Sequence, residues 1–186
     1  MNRIFIISGP SGAGEDSIIK KLKKKIPFVR AVTTITRKKR RGEKEGSPYY
    51  FTDIENFKKR IAKNEFIEWA QVYGDYRGLT KRELVRLKKQ KKPIVIKVDW
   101  QGVLTIKKLY PHAVSIGIMP ESYDVLENRI IKRGKDSRHT IKKRAAQTKM
   151  WLKKQGVYDY IVINREGKLN TAVGEVEKIV RQNIKD

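Results

Sequence analysis

The stretch "IFIISGPSGAGEDS", Ile4 to Ser17, decides the fold. It begins as an apolar, largely β-branched run, passes through Gly9, Gly12 and Gly14, and leads into a segment whose apolar residues recur at helical spacing. A buried strand, a glycine loop and a helix in that order let backbone amides and the positive helix end converge on a phosphate. Open α/β sheets take their ligands at such strand-to-helix turns. Gly9, Pro10, Ser11, Gly12, Ala13, Gly14, Glu15, Asp16 and Ser17 are therefore candidate phosphate contacts. One position departs from the pattern: Glu15 stands where a phosphate loop of this spacing carries its lysine.

Working outward, short β-branched runs alternate with longer amphipathic segments, which is the α/β pattern. The spacing predicts parallel strands at Arg3–Ser8, Val29–Val32, Pro93–Asp99, Ala113–Met119 and Tyr160–Asn164, each nearly continuously apolar, as strands covered on both faces are. Helices are predicted at Asp16–Lys25, Thr80–Gln90, Val103–Leu109, Ser122–Lys132, Thr140–Gln155 and Asn170–Ile184. The fold class is α/β, three layers around a five-stranded parallel sheet. Between Thr33 and Leu79 the pattern changes to a basic loop, a helical segment and the aromatic stretch "EFIEWAQVYGDY" (Glu65 to Tyr76), which reads as a small mixed lobe. The polar segment "RGKDSRH" (Arg133 to His139) reads as a lid between two helices.

At 186 residues and 39% hydrophobic content, the chain can bury one sizeable core. No apolar run approaches the ~20 residues of a membrane span, and the N-terminus lacks a signal-peptide pattern, so a cytoplasmic protein without membrane contact is expected. The absence of cysteine excludes disulfides and thiolate chemistry, and two distant histidines argue against zinc. A net charge of +24 favours anionic partners without naming one. Runs such as "KKLKKK" (Lys20 to Lys25) read as solvated helix faces, leaving nucleic acid only a non-specific electrostatic partner.

"TTITRKKRRGEKEGSPYYF" (Thr33 to Phe51), "NEFIEWAQVYGDYRG" (Asn64 to Gly78) and "IKVDWQG" (Ile96 to Gly102) together closely resemble guanylate kinase, over nearly the whole chain. The resemblance implies a phosphate-loop kinase fold in a single domain: a core of residues 1–32, 81–128 and 145–186, a GMP-binding lobe at 33–80 and a lid at 129–144. It implies ATP and GMP or dGMP as substrates, Mg2+ as cofactor, and a monomer or homodimer.

Carried over by position, Arg37 and Arg40 grip the acceptor phosphate, as planar guanidinium groups suit oxyanions. Tyr49 reaches the same phosphate, Glu43 orients the arginines, and Thr33 and Glu68 read the guanine edge. A carboxylate accepting from the ring nitrogen and amino group suits guanine and rejects adenine. Asp99 lies near the base and the metal, and Asp16 and Ser17 join it as metal candidates. Thr80 is the remaining hydroxyl near the acceptor. Arg129, Arg133 and Arg144 fall where the family carries arginines that neutralise the transferred group. Asn164 falls near the adenine of ATP.

Three departures stand out. Glu15 reverses the charge of the phosphate loop; Lys97 stands where the family carries an acidic residue; and Arg77 and Leu79 replace the family's second tyrosine and a hydroxyl. Lys97 and Asp99 share a strand face, which suggests a charge swap in which Lys97, paired with Glu15, supplies the missing ammonium. A rival reading is a guanylate-kinase-like module that binds GMP or phosphorylated proteins without transferring phosphate.

Overall fold

The structure is a computed structural model that describes residues 3–40, 42–72, 74–132, 151 and 153–184. Five parallel strands form the first sheet in the order β10-β9-β1-β8-β2. These are β1 (Ile4–Ser8), β2 (Val29–Arg30), β8 (Ile94–Lys97), β9 (Val114–Pro120) and β10 (Tyr160–Asn164). β1 is central, pairing Ile4 with Ile94 and Phe5 with Val114.

Side-chain alternation explains why β1 is apolar throughout. Phe5 and Ile7 point to one face and pack with Ile18, Ile19 and Leu22 of α1 (Glu15–Leu22) and Val173, Val176 and Val180 of α6 (Leu169–Ile184). Ile4 and Ile6 point to the other face, against Leu84 and Leu87 of α3 (Lys81–Lys88) and Val103 and Ile106 of α4 (Trp100–Leu109). Each fully buried side chain of this kind contributes about 1.5–3 kcal/mol, so the two faces pin the strand in register. α5 (Tyr123–Lys132) follows β9 and sends Leu126 and Ile130 into the first of these clusters.

A second, mixed sheet is drawn from residues 33–80, in the order β4-β5-β3-β7-β6. Its strands are β3 (Thr33–Ile35), β4 (Lys44–Glu45), β5 (Pro48–Phe51), β6 (Phe66–Val72) and β7 (Asp75–Thr80). α2 (Ile54–Ala62) packs on one side, where Phe57 stacks on Phe66 with ring centroids 4.4 Å apart. β6 pairs antiparallel with β7 through a bulge between Phe66 and Glu68.

All five expected parallel strands are present, and capping side chains set the ends of two of them. The strand expected to reach Asp99 ends at Lys97, because the Asp99 carboxylate accepts the Gly102 amide at 2.9 Å and starts α4 at Trp100 rather than Val103. The helix expected from Thr80 begins at Lys81, because the Thr80 hydroxyl accepts the Glu83 amide. Glu83 in turn takes the Val32 amide, which ends β2 at Arg30. The helix expected at Thr140–Gln155 and the "RGKDSRH" lid lie outside the described residues, apart from the end of that helix. Among the described residues, no helix is long and apolar enough to cross a membrane.

Candidate active site

The phosphate loop leaves β1 and turns into α1 through Gly12 and Gly14, both left-handed at φ 97° and 98°. The Ala13 amide donates to the Pro10 carbonyl at 3.0 Å, so Pro10 and Ala13 shape the turn rather than line a cavity. A Cβ on Gly14 would lie 2.4 Å from Asn164 Nδ2, the group that donates to the Ala13 carbonyl at 2.7 Å. Gly14→Ala is expected to cost about 2–3 kcal/mol: about 1–2 from the left-handed backbone and about 1 from the lost Asn164 bond. Urea unfolding should show it, with Gly74→Ala, at φ 89° and uncrowded, losing only the backbone part.

Two cavities of about 510 Å³ each meet at this loop and share Gly12, Glu15 and Asp16 as a common wall. The first also reaches Thr33, Arg37, Arg40, Glu43, Tyr49, Glu68, Lys97 and Asp99, so nearly all the acceptor-side candidates converge on one space. Thr80 does not; it is buried and caps α3. The second cavity holds Gly14, Ser17, Arg129 and Asn164.

Arg37 meets Glu43 in a two-pronged ion pair, Nη1 to Oε2 at 2.6 Å and Nη2 to Oε1 at 2.5 Å. Glu43 Oε2 also accepts the Arg40 amide at 2.8 Å, so one carboxylate holds the side chain of Arg37 and the backbone of Arg40. Burial alone would raise the Glu43 carboxyl, but the Arg37 bonds hold it below its usual range. The Arg37 guanidinium also lies 5.3 Å from the centre of the Tyr49 ring.

Glu68 is 5% exposed, on the face of β6 that opens into the first cavity. Its carboxyl is pushed up to about 8, first by loss of water and then by repulsion from Asp99, against an opposing hydrogen bond from the Leu79 amide. The neutral acid therefore predominates at pH 7 when no ligand is bound. A base offering two adjacent donors would favour its ionised form.

The structure corrects the expected partner of Lys97. Its ammonium reaches Asp16 Oδ2 at 2.5 Å, and Arg30 Nη2 takes Asp16 Oδ1, also at 2.5 Å. Burial would raise the Asp16 carboxyl, but these two cations hold it well below the usual carboxylate range. Both its oxygens are thus occupied, which argues against Asp16 as a metal ligand. Burial would lower the Lys97 ammonium, yet the acidic groups of Tyr49, Asp16 and Glu15 keep it well above its usual value and fully charged. Glu15 is 9% exposed and raised, by burial first and by Asp16, with Lys97 opposing.

Arg129 donates from Nε to Glu166 and from Nη2 to the Asn164 carbonyl. Asn164 bonds back to the phosphate loop, which gives it a role in holding that loop. Arg133 and Arg144 lie outside the described residues. Sequence reasoning missed Arg30: it ends a two-residue edge strand, and nothing in its spacing connects it to Asp16. Arg77 lines the first cavity, its Nε buried without a partner.

A parallel sheet ordered β10-β9-β1-β8-β2, a phosphate loop after its central strand and a second sheet facing that loop across a cleft lined by arginines, a lysine and carboxylates define a phosphate-loop nucleoside monophosphate kinase fold. The guanylate kinase family model matches residues 1–183. The chain is 36% identical over 178 residues to a guanylate kinase of Carboxydothermus hydrogenoformans, covering 95% of this chain and 86% of that one. It is 37% identical over 181 residues to one of Hydrogenovibrio crunogenus, covering 97% and 87%. The crystal structure of guanylate kinase from Anaplasma phagocytophilum superposes with a TM-score of 0.78 at 28% identity, covering 97% of this chain and 85% of that one. The chain belongs to the guanylate kinase family.

Proposed function

We propose that this chain transfers the terminal phosphoryl group of ATP to GMP or dGMP, giving ADP and GDP or dGDP. The observation that carries this reading is the convergence on one cleft of a buried carboxyl, a braced pair of arginines and the wall of a phosphate loop that opens on a second cavity. Glu68, once ionised, accepts from the guanine ring nitrogen and amino group, with Thr33 beside it. Arg37, held by Glu43, and Arg40 take the acceptor phosphate with Tyr49 beneath. The acceptor oxygen then faces the common wall, across which the loop amides and Ser17 receive the donor phosphates.

Lys97 brings a cation to the wall where the loop carries Glu15 in place of a lysine. Catalysis is positioning and charge neutralisation, with no covalent intermediate. The donor set suits magnesium, which takes oxygen ligands, leans on substrate phosphates and needs few protein groups. Ser17 in the donor cavity offers such an oxygen, whereas both oxygens of Asp99 already accept hydrogen bonds, from the Gly102 amide and the Gln101 side chain. When bound, the ion neutralises charge between the outer phosphates.

Glu15 favours one rival, a module that keeps the acceptor pocket and binds GMP or phosphorylated proteins without transfer. An ADP-release assay with ATP, magnesium and GMP separates the two. Turnover that requires GMP is the expected result, and tight GMP binding without turnover would establish the module instead.

A further inference from the structure

We propose that Arg30 is a second cation for the transferred phosphoryl group, and that Asp16 is the positioning residue that holds Arg30 and Lys97 together at the wall between the two cavities. The proposal rests on the phosphotransferase reading above.

Its first support is geometric. Arg30 comes from β2 and Lys97 from the neighbouring β8, whose register sets Arg30 against Val95, so the two side chains converge from adjacent strand ends on the head of α1. Each takes one oxygen of the same carboxylate at 2.5 Å. Asp16 lines both cavities, and Arg30 and Lys97 line the first. The second support is electrostatic. Lys97 and Asp16 sum to zero, so Lys97 alone cannot restore the positive charge that a lysine at position 15 would give. Arg30 brings a second cation to the same carboxylate, which leaves the Arg30–Asp16–Lys97 cluster with one net positive charge.

The third support is unused capacity. An arginine fork carries five N–H donors, and the contact with Asp16 engages Nη2. Arg30 Nε is buried with no partner, and the side chain is 20% exposed toward the cleft. A phosphoryl oxygen arriving at the wall would meet a guanidinium already aimed and partly desolvated, the condition under which such donors have their largest effect on a transition state. Asp16 works through the two cations it anchors and touches no reacting atom.

The test uses the full chain, with inorganic tripolyphosphate and GMP as separate calorimetric probes beside steady-state kinetics. Arg30→Met is expected to weaken tripolyphosphate binding about tenfold and to lower kcat by about 10²-fold, with GMP affinity held within about twofold. Arg30→Lys, which keeps the ion pair with Asp16, should recover the tripolyphosphate affinity but only part of kcat. Asp16→Asn should lower kcat without a matching rise in KM for GMP, and Asp16→Glu should restore it in part. Variants that lose thermal stability but keep kcat and tripolyphosphate affinity within about twofold would show the cluster to be structural and overturn the proposal. Equal weakening of GMP and tripolyphosphate in Arg30→Met would overturn it as well, by showing only a general field. If the unaltered chain shows no GMP-dependent turnover, the phosphotransferase reading fails, while the tripolyphosphate titrations still decide the assignment of Arg30.

Discussion

Lys97→Met should lower kcat by about 10²- to 10³-fold while GMP affinity stays within about twofold. The size follows from what the side chain offers: a charged ammonium, 16% exposed, at the wall where the two cavities meet. In such a setting a fixed donor is worth several kcal/mol to developing charge, and methionine keeps the volume while removing the charge. Folding should suffer less than transfer, because Asp16 is half exposed and keeps Arg30 as a partner. Stopped-flow ADP release, read beside GMP calorimetry, separates the two effects.

Glu15→Lys adds the reciprocal test. In the unaltered background it places a second ammonium against Lys97 and activity should not rise. In the Lys97→Met background it returns a lysine to the head of α1 and should recover part of the lost rate. Unchanged transfer in Lys97→Met would show that the ion pair with Asp16 only neutralises charge.

Glu68→Gln is expected to weaken GMP binding by about 10²-fold or more, since an amide presents a donor where guanine presents donors, leaving buried groups unpaired. A pH dependence accompanies it. The empty site holds Glu68 protonated up to about 8, whereas guanine requires the carboxylate, so binding expels a proton. Affinity should therefore rise with pH, approaching tenfold per unit below 8, and level off above it. Guanosine is the suitable probe, because it has no phosphate to titrate near pH 6. Calorimetry in buffers of different ionisation heat would count the proton directly. A flat profile between pH 6 and 8 would mean that the carboxyl is ionised before the base arrives.

How much of this was legible in the chain varies by element. The central sheet was legible because strands covered on both faces have little choice but continuous apolar runs, as "IFIIS" and "YIVIN" do. The strand ends were less so: Asp99 and Thr80 each offered a side-chain oxygen to a following amide, a local competition that hydrophobic periodicity does not register. That Thr33, Arg37, Arg40, Glu43, Tyr49 and Glu68 gather on one cavity was legible through the motif, and the ion pair of Arg37 with Glu43 fits the orienting role expected of that glutamate. The partner of Lys97 was not. Two carboxylates stand side by side at the head of α1, and the direction each takes from the first turn decides which meets the ammonium. Arg30 was hidden for a related reason, since its contact with Asp16 bridges the end of an edge strand and a helix start.

On the proposed reading of Glu68 as the group that meets the base, the bulge in β6 has a consequence for how selectivity is inherited. Along an undisturbed strand, Phe66 and Glu68 would share a face. Here Phe66 stacks on Phe57 of α2, Ile67 leans on the main core and Glu68 turns to the cleft. The extra residue thus resets parity, letting one strand feed an aromatic stack and, two residues later, a polar reading head. The side of the strand that the acid takes therefore depends on the bulge at Ile67, a residue that lines neither cavity. With Ile67 kept and the bulge ironed flat, Phe66 and Glu68 would fall on one face; with Ile67 deleted, they would stand adjacent, opposite Thr80 and Leu79, and still point to opposite faces. Selectivity in this fold is a matter of counting residues as well as of choosing them.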